Sequence, residues 1–289
     1  MHTNYFIYGT KNICERELEG REYNDPSYYP NFQKKIDWFK KLLLDKHKKK
    51  ESLVVLRVFD GEFYFLDMQK IGNVARRHCS KELTEEFVKK FKDGCYKVDI
   101  LSTQLYEDKI PHFQRLFPNK KIDLPMEIIY GLFANKWLLE TFKNKIALIG
   151  GNEKMDVIKK LMEHQEYRDY IHNDYFLDYI SVPEKYSSDD PDKLLIQLED
   201  KIKKSKATVF FYGIGIAKMA IAYKFKEFKK ALFIDVGCGI SALAGTCAIE
   251  RPYFGDWINY RLEKYDYSKM DKMDFKKEKD NIKIIKSRK

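Results

Sequence analysis

Apolar positions along this chain fall into two rhythms, and their alternation outlines an α/β protein. From Asn31 to Lys48, Phe32, Ile36, Phe39 and Leu43 recur at helical spacing with lysines opposite, predicting an amphipathic helix. The next run, Leu53 to Leu66, is apolar almost throughout, and Val54, Val55 and Val58 give its first half the bulk of a buried strand. Ser80 can cap a helix to about Asp93, with Leu83, Phe87 and Phe91 inward and Gly94 as its stop. Tyr96–Leu101 then has the pattern of a second strand. Pro111–Phe117 and Pro125–Lys143 have that of helices, the latter led by proline in its first turn.

From residue 145 one unit repeats: a short apolar strand, a glycine turn, a helix. Lys145–Ile149 runs into Gly150-Gly151 and the helix 153–164, and Ala207–Tyr212 into Gly213-Ile-Gly215 and a helix reaching about Phe228. Ala231–Val236 runs into Gly237-Cys238-Gly239. A further strand near Tyr179–Val182 and a helix over Asp192–Lys204 lie between them. Such a succession predicts a mostly parallel sheet with helices on both faces, and such sheets bind ligands beyond the carboxyl ends of their strands. Residues 31–263 are expected to form one domain, with 1–30 packed on it as an extension and 264–289 as a basic tail.

Composition narrows the picture. The chain has 289 residues, 44% of them hydrophobic and 15% aromatic, which fits a folded protein. Its net charge of +10 does not single out a nucleic-acid binder. Residues 264–289 carry ten Lys or Arg against five Asp or Glu, half of the excess, and no nucleic-acid signature accompanies them. Five scattered cysteines without a C-x-x-C pair point to a reducing compartment and away from structural zinc. Neither a signal peptide nor a membrane span is discernible, so the expected location is cytoplasmic.

The chemistry centres on Arg57-Val-Phe-Asp60-Gly61-Glu62. A charge inside an apolar run needs a partner or a ligand. Two carboxylates around a glycine at a strand's end suit a hard divalent ion shared with a phosphate. Asp-Gly between hydrophobic runs is equally the signal of a β-hairpin, with Leu53–Phe59 pairing Glu62–Leu66, and both readings stand. Gly150, Gly151, Gly213 and Gly215, with Lys218 just beyond, either meet a phosphate at helix starts or serve tight packing. Arg76, Arg77 and His78 are possible phosphate donors or plain surface charge. His164, Glu166, His172 and Asp174 have irregular spacing and belong to the surface. Asp235-Val-Gly237-Cys238-Gly239-Ile-Ser241 resembles the first motif of S-adenosylmethionine methyltransferases, although only fifty residues follow Gly239. A non-enzymatic module tethered by its tail is a third possibility.

Taken together, Arg57 to Glu62, the strand turns at Ile146–Gly151 and Val209–Gly215, and Ile234-Asp235-Val-Gly237 resemble the GT-D glycosyltransferases. Members of that family carry an Arg-Phe-Gly-Asp-Gly-Glu-like segment with a D-x-E motif on a Rossmann-like fold. The resemblance implies transfer of a hexose from a nucleotide diphosphate sugar, typically UDP-linked, to a glycan or glycoprotein acceptor, with Mn²⁺ or Mg²⁺. It implies that Asp60 and Glu62 hold donor and metal with Arg57 in support. It places Gly61, Gly150, Gly151, Gly213, Gly215, Lys218 and Asp235 around the nucleotide. The family commonly has histidine where Cys238 stands, and Asp256 or Glu250 is the candidate general base.

Overall fold

The computed structural model describes residues 32–69, 78–104, 109–247, 254, 257–268, 270 and 282–286. Residues 1–30, Arg76, Arg77, Glu250, Arg251 and Asp256 lie outside them.

The sheet has seven strands, all paired in parallel: β1 (Leu53–Arg57), β2 (Ile100–Thr103), β3 (Leu124–Pro125), β4 (Ile146–Gly151), β5 (Asp178–Val182), β6 (Val209–Gly213) and β7 (Leu232–Asp235). Their spatial order is β3-β2-β1-β7-β6-β4-β5. This is a Rossmann-like α/β fold with helices packed around the sheet, as the strand–glycine–helix repeat predicts. Every residue of β1, β4 and β7 is buried, which is why these strands read as unbroken apolar runs and not as alternating ones. Ahead of β1, helix α1 (Phe32–Lys48) buries Ile36, Phe39 and Leu43 and carries Lys46 and Lys48 in its last turn, whose charge suits a helix carboxyl end.

Several local expectations change. No hairpin forms at Asp60-Gly61: the strand stops at Arg57, and helix α2 (Asp60–Leu66) starts at once. Phe59 is extended, and the Glu62 carboxylate accepts the Phe59 N–H at 3.2 Å, closing the helix start from within. Asp60 and Glu62 also sit in the first turn, where the helix dipole favours acids.

Helix α3 (Glu85–Lys97) is capped by Thr84 rather than Ser80, which bonds Asp189 instead. It runs through Gly94, whose absent side chain lets the backbone of Met219 approach; a Cβ there would lie 1.9 Å from the Met219 carbonyl oxygen. That glycine is a packing site, not a stop. After α4 (Lys109–Leu116), the helix expected over 125–143 divides into α5 (Met126–Ala134) and α6 (Trp137–Thr141), because Lys136 adopts φ 65°.

Helices α7 (Asn152–Leu161), α8 (Gln165–Ile171) and α9 (Pro191–Lys204) follow. The segment after β6 is α10 (Ala217–Ile221), a 3₁₀ turn and α11 (Phe225–Phe228), not one helix. Helix α12 (Cys238–Leu243) follows β7. Strand β8 (Asn259–Leu262) pairs in parallel with β9 (Ile282–Ile285), so four residues of the expected tail belong to a small second sheet. Among the described residues no helix is long and apolar enough to cross a membrane.

Candidate functional site

The two central strands part company at their carboxyl ends. From β1 the chain leaves through α2, which packs on α3 and α4; from β7 it leaves through α12, which packs on β6, α5 and α7. The space beyond the carboxyl ends of β1 and β7, the crevice, is where sheets of this kind usually bind ligands. Arg57, Asp60, Glu62, Lys218 and Asp235 meet there.

Asp235, the last residue of β7, is fully buried. Its carboxylate accepts the Arg57 backbone N–H at 3.1 Å and a guanidinium N–H of Arg57 at 3.2 Å. It also accepts the Gly237 N–H at 3.0 Å and faces the Lys218 ammonium at 2.8 Å. Burial alone would raise this carboxyl's pKa, but Arg57 and Lys218 outweigh it and hold the group below the usual carboxylate range. Burial likewise opposes the charge on Arg57, and Asp235, then Tyr130 and Glu62, reverse that and raise its pKa. The guanidinium lies 4.5 Å from the centre of the Tyr130 ring and donates to the Met126 sulfur at 3.7 Å. Gly237 makes room for it: φ is 42°, and a Cβ there would stand 1.8 Å from an Arg57 nitrogen.

Lys218, brought in by α10, is 2% exposed and bridges the two halves of the cluster, 2.8 Å from Glu62 and 2.8 Å from Asp235. Asp60 stands at the mouth with its side chain 44% exposed, and Lys109 of α4 meets it at 2.5 Å. The Lys109 ammonium lies 5.5 Å from the Phe59 ring centre. On β2, in register with Arg57, Ser102 and its neighbour Thr103 are buried with hydroxyls that have no hydrogen-bond partner among the described residues. Buried hydroxyls of that kind usually have a partner.

Arg57, Asp60, Gly61, Glu62, Lys218 and Asp235 are thus brought to one place. The glycine turns are not free cradles. Gly150 is filled by Met155 and Ile240, and Gly151 by the Glu184 carboxylate. Gly213 is closed by Gly237 and Ile240, and Gly215 by the ring of His78. A Cβ at any of the four would meet those atoms at 3.0 Å or less, so the tight-packing alternative describes them. The motif read as a methyltransferase signature fares similarly, because both oxygens of Asp235 are already committed to Arg57, Gly237 and Lys218.

No family model matches the chain, and no curated protein gives a significant match. Among solved structures the chain is similar to a protein described as a new glycosyltransferase (domain of unknown function 1792) from Streptococcus sanguinis. Identity there is 13%, with 70% of this chain and 80% of that one covered and a TM-score of 0.45. It is also similar to a structure described as showing that the highly conserved domain of unknown function 1792 has a distinct glycosyltransferase fold. Identity is again 13%, with 84% and 93% covered and a TM-score of 0.48. Likeness at this level concerns the course of the chain and leaves the chemistry to be argued from residues.

Lys109 and Tyr130 escaped the sequence reading. Lys109 follows the polar run Ser102-Thr103-Gln104 at a strand end, a signal that was available. Tyr130 sits in an apolar helix and carries none. The surface reading of His172 holds: its ring lies exposed, 3.9 Å from Glu140. Among the described residues no three His, Cys, Asp or Glu side chains gather as a metal cage.

Proposed function

We propose that the chain transfers a hexose from a nucleotide diphosphate sugar, UDP-linked, to a hydroxyl of a glycan or glycoprotein acceptor. The observation that carries this reading is the cluster of Arg57, Lys218 and Lys109 with Asp60, Glu62 and Asp235 in the crevice between β1 and β7. Breaking a sugar–diphosphate bond leaves negative charge on the departing phosphate, and preorganised cations in a water-poor site stabilise that charge as it develops. Lys109 is the cation nearest the mouth and the first a diphosphate would meet. Arg57 and Lys218 stand behind it, fixed by Asp235, and contribute field rather than direct bonds. The Ser102 and Thr103 hydroxyls are suited to orienting polar groups of the donor.

Three cations and three carboxylates leave the cluster neutral. An entering diphosphate therefore brings charge that these six described side chains do not cancel, which is the role of the Mn²⁺ or Mg²⁺ expected from the D-x-E motif. The fit is one-sided. Asp60 offers a half-exposed carboxylate, enough for an ion that takes its other ligands from water and phosphate. Such an ion, when bound, supplies Lewis-acid stabilisation of the leaving phosphate.

A screen of nucleotide sugars, read as nucleoside diphosphate release with Mn²⁺, Mg²⁺ or chelator present, tests the proposal. Metal-stimulated release of UDP from one UDP-hexose, lost in Asp60→Asn, is the expected result. Absence of turnover with every donor, together with absence of UDP binding, would refute it.

A further inference from the structure

Two carboxylates one residue apart are usually taken as a pair that shares one ligand. Here they point to different partners. Both oxygens of Glu62 are occupied: one accepts the Phe59 N–H at 3.2 Å, and the other faces the Lys218 ammonium at 2.8 Å. The same ammonium lies 2.8 Å from Asp235, so a single buried cation sits between two buried carboxylates, in the position a divalent ion would take. Asp60 belongs to neither. It opens to solvent at the mouth and holds Lys109, whose own side chain is 12% exposed.

We infer that Lys218 is the built-in counter-ion of the Glu62–Asp235 pair, that Glu62 is a positioning residue for this lysine, and that Asp60 is the motif carboxylate open to a divalent ion, in competition with Lys109. A metal seeking Glu62 must first expel an ammonium that is almost fully buried and hydrogen-bonded to two carboxylates. Evicting it leaves an unpaired charge in the interior, which is costly. An ion held by Asp60 would replace only the Lys109 contact at the half-exposed carboxylate, and Lys109 would then be available to a diphosphate. Lys109 is on this account the placeholder of the metal position and a ligand of the diphosphate once the ion arrives. The inference rests on the donor reading for the identity of the ligand, but not for the pairing of the side chains.

Mn²⁺ titration of the full chain, followed by electron paramagnetic resonance with and without saturating UDP, tests it without reference to turnover. Asp60→Asn is expected to weaken Mn²⁺ binding about tenfold or more, the range seen when a ligand set is damaged. The double variant Glu62→Leu/Lys218→Met removes both members of the ion pair and replaces them with apolar groups, and it is expected to keep Mn²⁺ affinity within about threefold. Glu62→Gln, which retains the hydrogen bond to Phe59, covers the case in which the double variant fails to fold. Lys109→Met is expected to tighten Mn²⁺ binding severalfold in the absence of UDP, because a competitor for Asp60 is gone.

Loss of Mn²⁺ affinity in the Glu62 variants equal to that in Asp60→Asn overturns the inference, as does weaker Mn²⁺ binding in Lys109→Met or none in the wild type. The UDP-free titration keeps the two proposals apart. Failure of UDP to bind strikes the donor reading, while the ranking of the variants toward Mn²⁺ alone still decides which carboxylate is open.

Discussion

The crevice between β1 and β7 and the glycine turns after β4 and β6 lie along one edge of one sheet and share the same strand–turn–helix grammar, yet they are built for different ends. In the crevice the space beyond the strands holds charged groups: Arg57, Lys218 and Asp235 deep inside, Asp60 and Lys109 at the mouth. At the turns it holds the chain itself, with Met155, Ile240, Glu184 and His78 seated against Gly150, Gly151, Gly213 and Gly215. A glycine after a strand records that something comes close. The crevice gathers three cations and three carboxylates, while the space at Gly150 and Gly213 is taken by apolar side chains and backbone.

The comparison can be broken most forcefully at Asp235. Asp235→Ala removes the buried carboxylate of Arg57 and leaves Lys218 with Glu62 alone, and a loss of about 3–5 kcal/mol in urea unfolding is expected, the usual result of breaking a buried pair from one side. Asp235→Asn gives the pH dependence. The carboxyl titrates lower in the folded than in the unfolded chain, so its stabilisation is complete above the unfolded value of about 3.9. It is lost as pH falls through the lower folded value. The deficit of the Asn variant against wild type should therefore be full at neutral pH and shrink only in strong acid. A deficit that vanishes already near neutrality would contradict the pairing.

Gly237→Ala comes next. The residue has positive φ and the new methyl would overlap Arg57, so a destabilisation of about 1–3 kcal/mol is expected, with weakened UDP binding because the guanidinium must move. Gly150→Ala sharpens the contrast from the other side: the new methyl would meet the end of Met155 at 2.9 Å and Ile240 at 3.0 Å. Because the methionine end can shift, the cost in thermal or urea unfolding is expected at about 1 kcal/mol, the low end for overpacking. The smallest effect on stability is expected at Asp60→Asn, whose half-exposed ion pair with Lys109 is worth about 0–1 kcal/mol.

How much of this was legible in the sequence follows from the same contrast. Strands buried on both faces announce themselves as unbroken apolar runs, so β1, β4, β6 and β7 and their parallel arrangement were readable from residues such as Val54, Ile146 and Phe233. Arg57 was conspicuous because a charge in such a run needs a partner. That the partner is Asp235, 178 residues later, depends on β1 lying beside β7, a tertiary fact without local trace. The Asp60-Gly61 pair left a hairpin open as an alternative because its local preference is real. Here Glu62 at the third helical position, accepting the Phe59 N–H, starts a helix instead. Gly94 read as a helix stop for a similar reason, since a helix-packing glycine and a terminating glycine differ only in what lies across from them. Lys109 and Tyr130 reach the site through the placement of α4 and α5, which no periodicity encodes.

The claim on which the account turns is that ligand chemistry belongs to the crevice and packing belongs to the turns. Calorimetric titration of UDP in the presence of Mn²⁺, run on wild type, Asp60→Asn and Gly150→Ala, addresses it most directly. The account expects Asp60→Asn to lose about tenfold or more in affinity and folded Gly150→Ala to stay within about twofold of wild type. Undiminished binding in Asp60→Asn, with binding lost in a folded Gly150→Ala, would contradict it.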